Sequence, residues 1–218
     1  MSGLIGADDR PMREGADEAA VFDCLEPPKA RALVMAGVEC FADLGFDGTT
    51  TRDIAERVDL SPAAVYVHFP SKADLLFTIS KLGHESALQT LEAAAASEPP
   101  GTERIGAMIS AFAAWHARNR RLAKVVQYEL DAIPPERRPE LNRMRRRFET
   151  VFESTIEEGI EANLLTAPDV AGAAMAILSL CIDVARWYSP QGPRSPESLG
   201  RFYADLLLRM LNAAPATA

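Results

Sequence analysis

Three hydroxyl residues, Thr50, Ser61 and Ser71, each stand just before a short run of helical periodicity, and Tyr66, His68 and Lys72 cluster around the second and third of them. A hydroxyl residue at such a position caps a helix, and the first-turn amides behind it carry partial positive charge, a natural seat for a phosphate oxygen. Tyr66 and His68 offer hydrogen-bonding tips, and Lys72 supplies a point charge one turn into the next helix. Between them, the short side chains of Pro62, Ala63 and Ala64 would let a helix approach base edges in a major groove about 12 Å wide. The chemistry this constellation points to is recognition of a nucleic acid.

Bond-making chemistry finds little support. The sequence contains no GxSxG, no HExxH and no glycine-rich phosphate loop. Its three cysteines, Cys24, Cys40 and Cys181, are widely spaced, which indicates neither a disulfide framework nor a CxxC metal site. His84 and His116 lack carboxylate or cysteine partners at ligand spacing, so no metal or cofactor is expected and the chain is read as a non-enzyme.

The elements that must position these residues are helices. Pro27-Pro28 marks the start of order, and Leu33, Gly37, Cys40, Phe41 and Leu44 recur at three- and four-residue spacing up to a stop at Gly45. Thr50 with Asp53 can form a reciprocal cap for a short helix bearing Ile54, Ala55 and Val58. Past the Asp59-Leu60 turn, Ser61 caps a third helix with Pro62 in its first turn, ended by Phe69-Pro70. Ser71 then opens a long helix through Leu75, Leu76, Ile79, Leu82, Leu88 and Leu91. Further helices follow around Ile105 to Trp115, Leu122 to Leu130, Leu141 to Ile160, Asp169 to Tyr188 and Ser195 to Leu211. No strand pattern competes, which makes the fold all-α with about nine helices: a three-helix helix-turn-helix domain over 27-74 and a helical domain over 75-218.

The segment around the first two turns resembles the tetracycline-repressor-like (TetR) family of bacterial regulators. Gly45-Phe46, Thr49-Thr50, Ile54-Ala55, Leu60-Ser61, Tyr66, His68-Phe69, Ser71-Lys72 and Leu75-Leu76 carry the likeness over about 45 residues without a gap. It implies a homodimer with an N-terminal DNA-binding domain and a C-terminal ligand-binding and dimerisation domain. By the family's pattern Thr50, Ser61, Tyr66, His68 and Lys72 would contact phosphates, while Arg52, Pro62, Ala63 and Ala64 would lie nearest the bases. Three positions depart from it. Asp59 replaces the usual glycine of the turn, a place that favours positive φ; Ala63 stands where glycine is frequent; and Val67 stands where a polar or aromatic base reader is common.

In the second half Met108, Phe112, Trp115, Tyr128, Met144, Phe148, Phe152 and Trp187 either fill the core or line a ligand cavity. Gly172, Ala171, Ala173, Ala174, Ala176 and Ser179 would let the helix over Asp169 to Tyr188 approach another closely. With Leu199, Phe202, Leu206 and Met210 of the last helix it suits a symmetric four-helix dimer interface. The C-terminal stretch looks like that of family members controlling steroid or fatty-acyl breakdown, whose effectors are acyl-CoA thioesters. The run Arg137, Arg138, Arg143, Arg145, Arg146, Arg147 then reads either as arginine forks for a nucleotide phosphate or as a solvated face, since acids Glu136, Glu140 and Glu149 stand near it.

Charge refines the reading. The net charge is −8, which argues against a broad DNA-binding surface. Seven acids and two bases, Arg10 and Arg13, fall in residues 1-26, so −5 belongs to a segment expected to be a disordered acidic arm. Residues 27-80 carry only −2. No apolar run is expected to reach the roughly 18 residues of a membrane span, and the first residues lack a signal-peptide pattern, which places the chain in the cytoplasm. The combined expectation is a regulator, acting as a repressor, that binds a palindromic double-stranded DNA operator as a homodimer. A small apolar or acyl-CoA effector would release it. The alternative is a helical ligand-binding or adaptor protein with an unused helix-turn-helix.

Overall fold

A computed structural model of the chain describes residues 16–212. Among these the regular structure is wholly helical. The elements are α1 (Ala16–Ala20), α2 (Pro28–Gly48), α3 (Thr51–Glu56), α4 (Pro62–His68), α5 (Lys72–Ser97), α6 (Thr102–Arg118), α7 (Arg120–Tyr128), a 3-10 turn (Leu130–Ala132), α8 (Arg138–Glu161), α9 (Val170–Trp187) and α10 (Pro196–Leu211).

The sequence punctuation acts largely as its chemistry dictates. Gly45 takes φ 74°, breaking α2 one turn before its end. Thr50 and Asp53 form the reciprocal cap of α3, and Asp59 holds φ 53° in the turn that follows. Ser61 is a correction. Its side chain accepts no cap hydrogen bond, and the Ala64 amide, a donor such a cap would use, goes to the Ser61 backbone carbonyl instead (2.9 Å). Helices α2 to α4 close around Leu33, Cys40, Phe41, Ile54, Ala55, Val65 and Phe69, all buried.

Helix α5 belongs to both halves. Its first turn packs on the helix-turn-helix and its 26 residues carry on for about 39 Å into the second. Residue 75, where the second domain was expected to begin, therefore lies inside a single rigid helix. In the second half α6 is central, packed against α5, α9 and above all α10. Gly200 permits that last contact, since a Cβ there would collide with the Ser110 carbonyl.

Two expectations change. The segment over 1-26 is not free throughout: α1 sits within it, Phe22 is 1% exposed, and the Glu18 carboxylate accepts hydrogen bonds from the amides of Arg121 (2.9 Å) and Leu122 (3.2 Å) at the start of α7. Asp23 pairs with Arg31, whose guanidinium also donates to the Ala19 carbonyl. Acid composition misled here because these acids have partners, Arg31 for Asp23 and the distant start of α7 for Glu18, that the chain's charge balance does not reveal. Residues 1–15, with Arg10 and Arg13, lie outside the described residues. The second change concerns α9, which by length and composition is apolar enough to cross a membrane. Its two charges, Asp183 and Arg186, pair with each other at 2.7 and 2.8 Å, and its apolar residues are divided between the core and an exposed stripe.

Two predictions follow from this packing. Phe22→Ala should cost about 3 kcal/mol in urea denaturation, the loss expected for an emptied aromatic site rather than for a free arm. Burial holds His84 and His116 at pKa values of about 4, below the ordinary value near 6.5. The unfolded chain thus takes up protons first, so stability is complete above about pH 6.5 and falls as pH drops toward 4, by up to about 3 kcal/mol per histidine. Denaturation at pH 7.5 and pH 5 should show this loss, and His116→Gln should shrink it.

Candidate nucleic-acid interface and effector cavity

The α3-turn-α4 unit sorts its side chains by face. Ile54, Ala55, Val65 and Phe69 turn inward, while Thr50, Arg52, Ser61, Ala63, Tyr66 and Val67 are exposed and Pro62, Ala64 and His68 half-buried. All of the residues expected to meet DNA, apart from Lys72, are therefore carried by one short stretch and reach solvent. Tyr66 is fixed by a hydrogen bond between its hydroxyl and that of Thr51 (3.2 Å), which ties α4 to α3. Val67, at 79% exposed, is an apolar residue held in water beside Tyr66; such a side chain suits contact with a thymine methyl. The sequence marks it only as a departure from pattern, since exposure of a valine on a seven-residue helix depends on how that helix docks.

The three helix starts differ. At Thr50 the backbone amide and the hydroxyl both donate to Asp53 Oδ2 (2.8 Å each), and these bonds hold the Asp53 carboxyl below its usual pKa. Ser71 Oγ donates to Asp74 Oδ2 (2.7 Å) and accepts from the Asp74 amide (3.1 Å). A carboxylate already occupies each of these two. Only the Ser61 hydroxyl is without such a partner among the described residues. Arg52 is exposed and meets Glu56 at 3.8 Å, a loose surface pair worth little.

Acids of the first domain are largely neutralised away from α4. Arg57 bridges Glu39 (2.8 Å) and Asp43 (3.4 Å) on α2, and Arg137 pairs with Asp74 (2.9 Å). Lys72 has a role the sequence did not reveal. Its ammonium donates to the carbonyls of Phe46 and Thr49 (2.6 Å each) and lies 4.1 Å from the centre of the Phe46 ring. Two of its three N–H donors are thus engaged in closing the end of α2, which leaves one for a phosphate.

In the second half Phe112, Trp115 and Phe148 line a cavity of about 250 Å³ between α5, α6, α7, α8 and α9. Phe152 lies behind Phe112 with ring centres 6.0 Å apart, and Met108 is wholly buried; neither lines the cavity. Met144 is packed against the core, Tyr128 lines a separate cleft with Asp183 and Arg186, and Trp187 is exposed beside α10. His84, His116 and Gln127, which the sequence did not single out as ligand contacts, also line the cavity, as does Arg145 of the arginine run. Arg145 was legible in part, standing three residues before Phe148 on the same helix. The histidines carried no sequence signal, because their neighbours come from other helices.

The arginine run disperses. Arg137 goes to Asp74, Arg138 donates to the carbonyls of Ile133 (2.8 Å) and Asp131 (2.6 Å), Arg145 to Gln127 (3.1 Å) and Arg147 to Glu92 (3.2 Å). These partners are spread over both ends of α5, over α7 and over the stretch before α8, so these four arginines do not converge on one anion.

Comparison with known proteins agrees with this architecture. Residues 33–79 match the family described as "Bacterial regulatory proteins, tetR family", and residues 98–211 match "Tetracyclin repressor-like, C-terminal domain". A tetR-family regulatory protein from Rhodococcus RHA1 superposes with a TM-score of 0.81 at 38% identity, covering 86% of this chain and 99% of that one. The HTH-type transcriptional repressor KstR2 of Mycolicibacterium smegmatis is 24% identical over 81% of this chain and 87% of its own. The fatty acid metabolism regulator protein of Bacillus subtilis is 24% identical over 62% of this chain and 70% of its own. The chain belongs to the tetracycline-repressor-like family of transcriptional regulators, and it is not an enzyme.

Proposed function

We propose that this regulator is a cytoplasmic homodimeric repressor that holds a palindromic operator with paired α4 helices and lets go when a small, largely apolar effector fills the cavity between α5 and α9. The observation that carries the reading is the two-sided α4, locked inward by Val65 and Phe69 and presenting Tyr66 and Val67 outward. Within it, Thr50, Ser61, Tyr66 and His68 serve the phosphates, and Arg52, Pro62, Ala63, Ala64 and Val67 face the bases. Lys72 acts chiefly as a positioning residue that offers its remaining donor to the backbone.

Dimerisation is supported by the apolar stripe that α9 and α10 leave exposed. Met175, Leu180 and Trp187 lie on one helix and Phe202, Leu206 and Met210 on the other, each at least 39% exposed. Such a patch suits a self-complementary four-helix contact across a twofold axis. The relatives' names, one a fatty acid metabolism regulator and one a repressor, support an acyl-type effector and repression as output. An effector acts only through different affinities for the DNA-bound and released dimers.

Selection of random DNA with the purified protein should enrich a palindrome, and Leu206→Glu should yield monomers in sedimentation and lose that enrichment. Recovery of no common sequence would favour the adaptor reading instead. Tyr66→Ala should weaken operator binding at least tenfold without lowering the melting temperature. Lys72→Ala should do both, losing roughly 2 kcal/mol of stability with its two charge-assisted hydrogen bonds. Unchanged stability in Lys72→Ala would remove its positioning role.

A further inference from the structure

The cavity's polar groups define its ligand more narrowly than its apolar walls do. An internal space of about 150 Å³ accommodates one benzene ring, so 250 Å³ suits a molecule of about ten non-hydrogen atoms. A whole coenzyme A thioester is several times that size, so the cavity would enclose only its acyl end, and Arg137, Arg138 and Arg147 are engaged with scattered partners of their own.

Among the cavity-lining residues Arg145 is distinctive. It donates to Gln127 Oε1 (3.1 Å) and forms no ion pair among the described residues, whereas Arg137 and Arg147 on the same stretch each hold a carboxylate. Burial pushes its guanidinium pKa down, so a bound anion would relieve a desolvated charge. Its planar fork matches a carboxylate in a bidentate manner. Glu149, one turn on, also lines the cavity but is exposed to solvent, where its repulsion of an anion is screened.

Further in, His84 Nδ1 is bonded to the Ser80 carbonyl (2.7 Å) and His116 Nδ1 to the Phe112 carbonyl (2.8 Å). Each Nδ1 therefore carries the proton, and in the neutral ring Nε2 is an acceptor. Neither Nε2 has a partner among the described residues, and both rings line the cavity. The lining thus combines a half-buried cation with the Nε2 acceptors of two buried histidines, among the rings of Phe112, Trp115 and Phe148.

We infer that the effector is a compact hydroxy acid, with its carboxylate on Arg145, an apolar body against the aromatic walls and a hydroxyl donating to His84 or His116. This rests on the effector-cavity reading above and sharpens it from an acyl thioester to a free acid. The test uses the full-length dimer and calorimetric titration with 3-(4-hydroxyphenyl)propanoate, its methyl ester, its coenzyme A thioester and 3-phenylpropanoate. The free hydroxy acid should bind at least tenfold more tightly than the ester and the thioester, and severalfold more tightly than 3-phenylpropanoate. Arg145→Gln should erase the preference for the acid while leaving affinity for the ester unchanged, and Arg145→Lys should recover part of it. If the ester or the thioester binds the wild-type protein as tightly as the acid, the anion assignment is wrong while the cavity remains an effector site. If none of the four binds, the effector-cavity reading itself fails, and this inference with it.

Discussion

The ammonium of Lys72 joins the two halves of this molecule. It sits in the first turn of α5 and holds the carbonyls of Phe46 and Thr49, at the point where α2 ends and α3 begins. A charged donor on two carbonyls at 2.6 Å is among the stronger polar contacts a surface region can make. Thr49, buried at the same joint, donates to the carbonyls of Cys40 and Gly45 and fixes the break that Gly45 introduces. The orientation of α3, and through Thr51 and Tyr66 that of α4, is thereby set by a helix that goes on, about three turns later, to line the cavity with Gly83, His84 and Ala87.

A second connection runs through α7. On one side it supplies Ala123, Val126 and Gln127 to the cavity, and on the other Lys124 Nζ donates to the Ala42 carbonyl of α2 (2.8 Å). Helices α5 and α7 are in close contact at Gly83, where an added Cβ would stand 3.0 Å from Val126. At that contact the two helices are tightly packed, and packed interiors answer a molecule larger than the space open to it by shifting elements rather than by compressing. Movement of α7 relative to α5 would act on the DNA-binding domain at two places, Ala42 through Lys124 and Phe46–Thr49 through Lys72. The α1 segment braces the start of α7 through Glu18, which makes part of the N-terminal region a component of this linkage rather than an appendage.

The sequence disclosed local matters well and distant ones poorly. Caps such as Thr50 with Asp53, the break at Gly45 and the strained turn at Asp59 are written within four residues of chain, where backbone chemistry decides them. The all-α class and the separation of a helix-turn-helix from a larger helical half were legible for the same reason. The cavity was less so. Phe112, Trp115 and Phe148 line it, but Met108 and Phe152 have the same composition and periodicity and are ordinary core. Which of two buried aromatics meets an empty space depends on how five helices cross, and no single helix records that. Lys72 and Glu18 show the same limit for charge: each acts on a backbone group more than 20 residues away.

The net charge of −8 acquires a different meaning once its members are placed. Glu39 and Asp43 are held by Arg57, Asp74 by Arg137, and Asp53 by the Thr50 cap, so these acids are bound into the scaffold that orients α4. Arg57 and Arg137 offset two of these four negative charges and fixed hydrogen bonds hold the Asp53 carboxylate, so the acids are tied to the scaffold rather than free to face a groove. What α4 itself presents is nearly neutral: alanines, a tyrosine, a valine and a half-buried histidine. A surface of this kind gains little from the counterion release that drives indiscriminate DNA binding. On the proposed reading its affinity would come from shape, from methyl and hydroxyl contacts and from the doubling of a weak site by twofold symmetry. If, as proposed, two such helices bind together and each half-site contributes modestly, a small change in their spacing would forfeit the second contact, a shift within reach of an effector of about ten atoms.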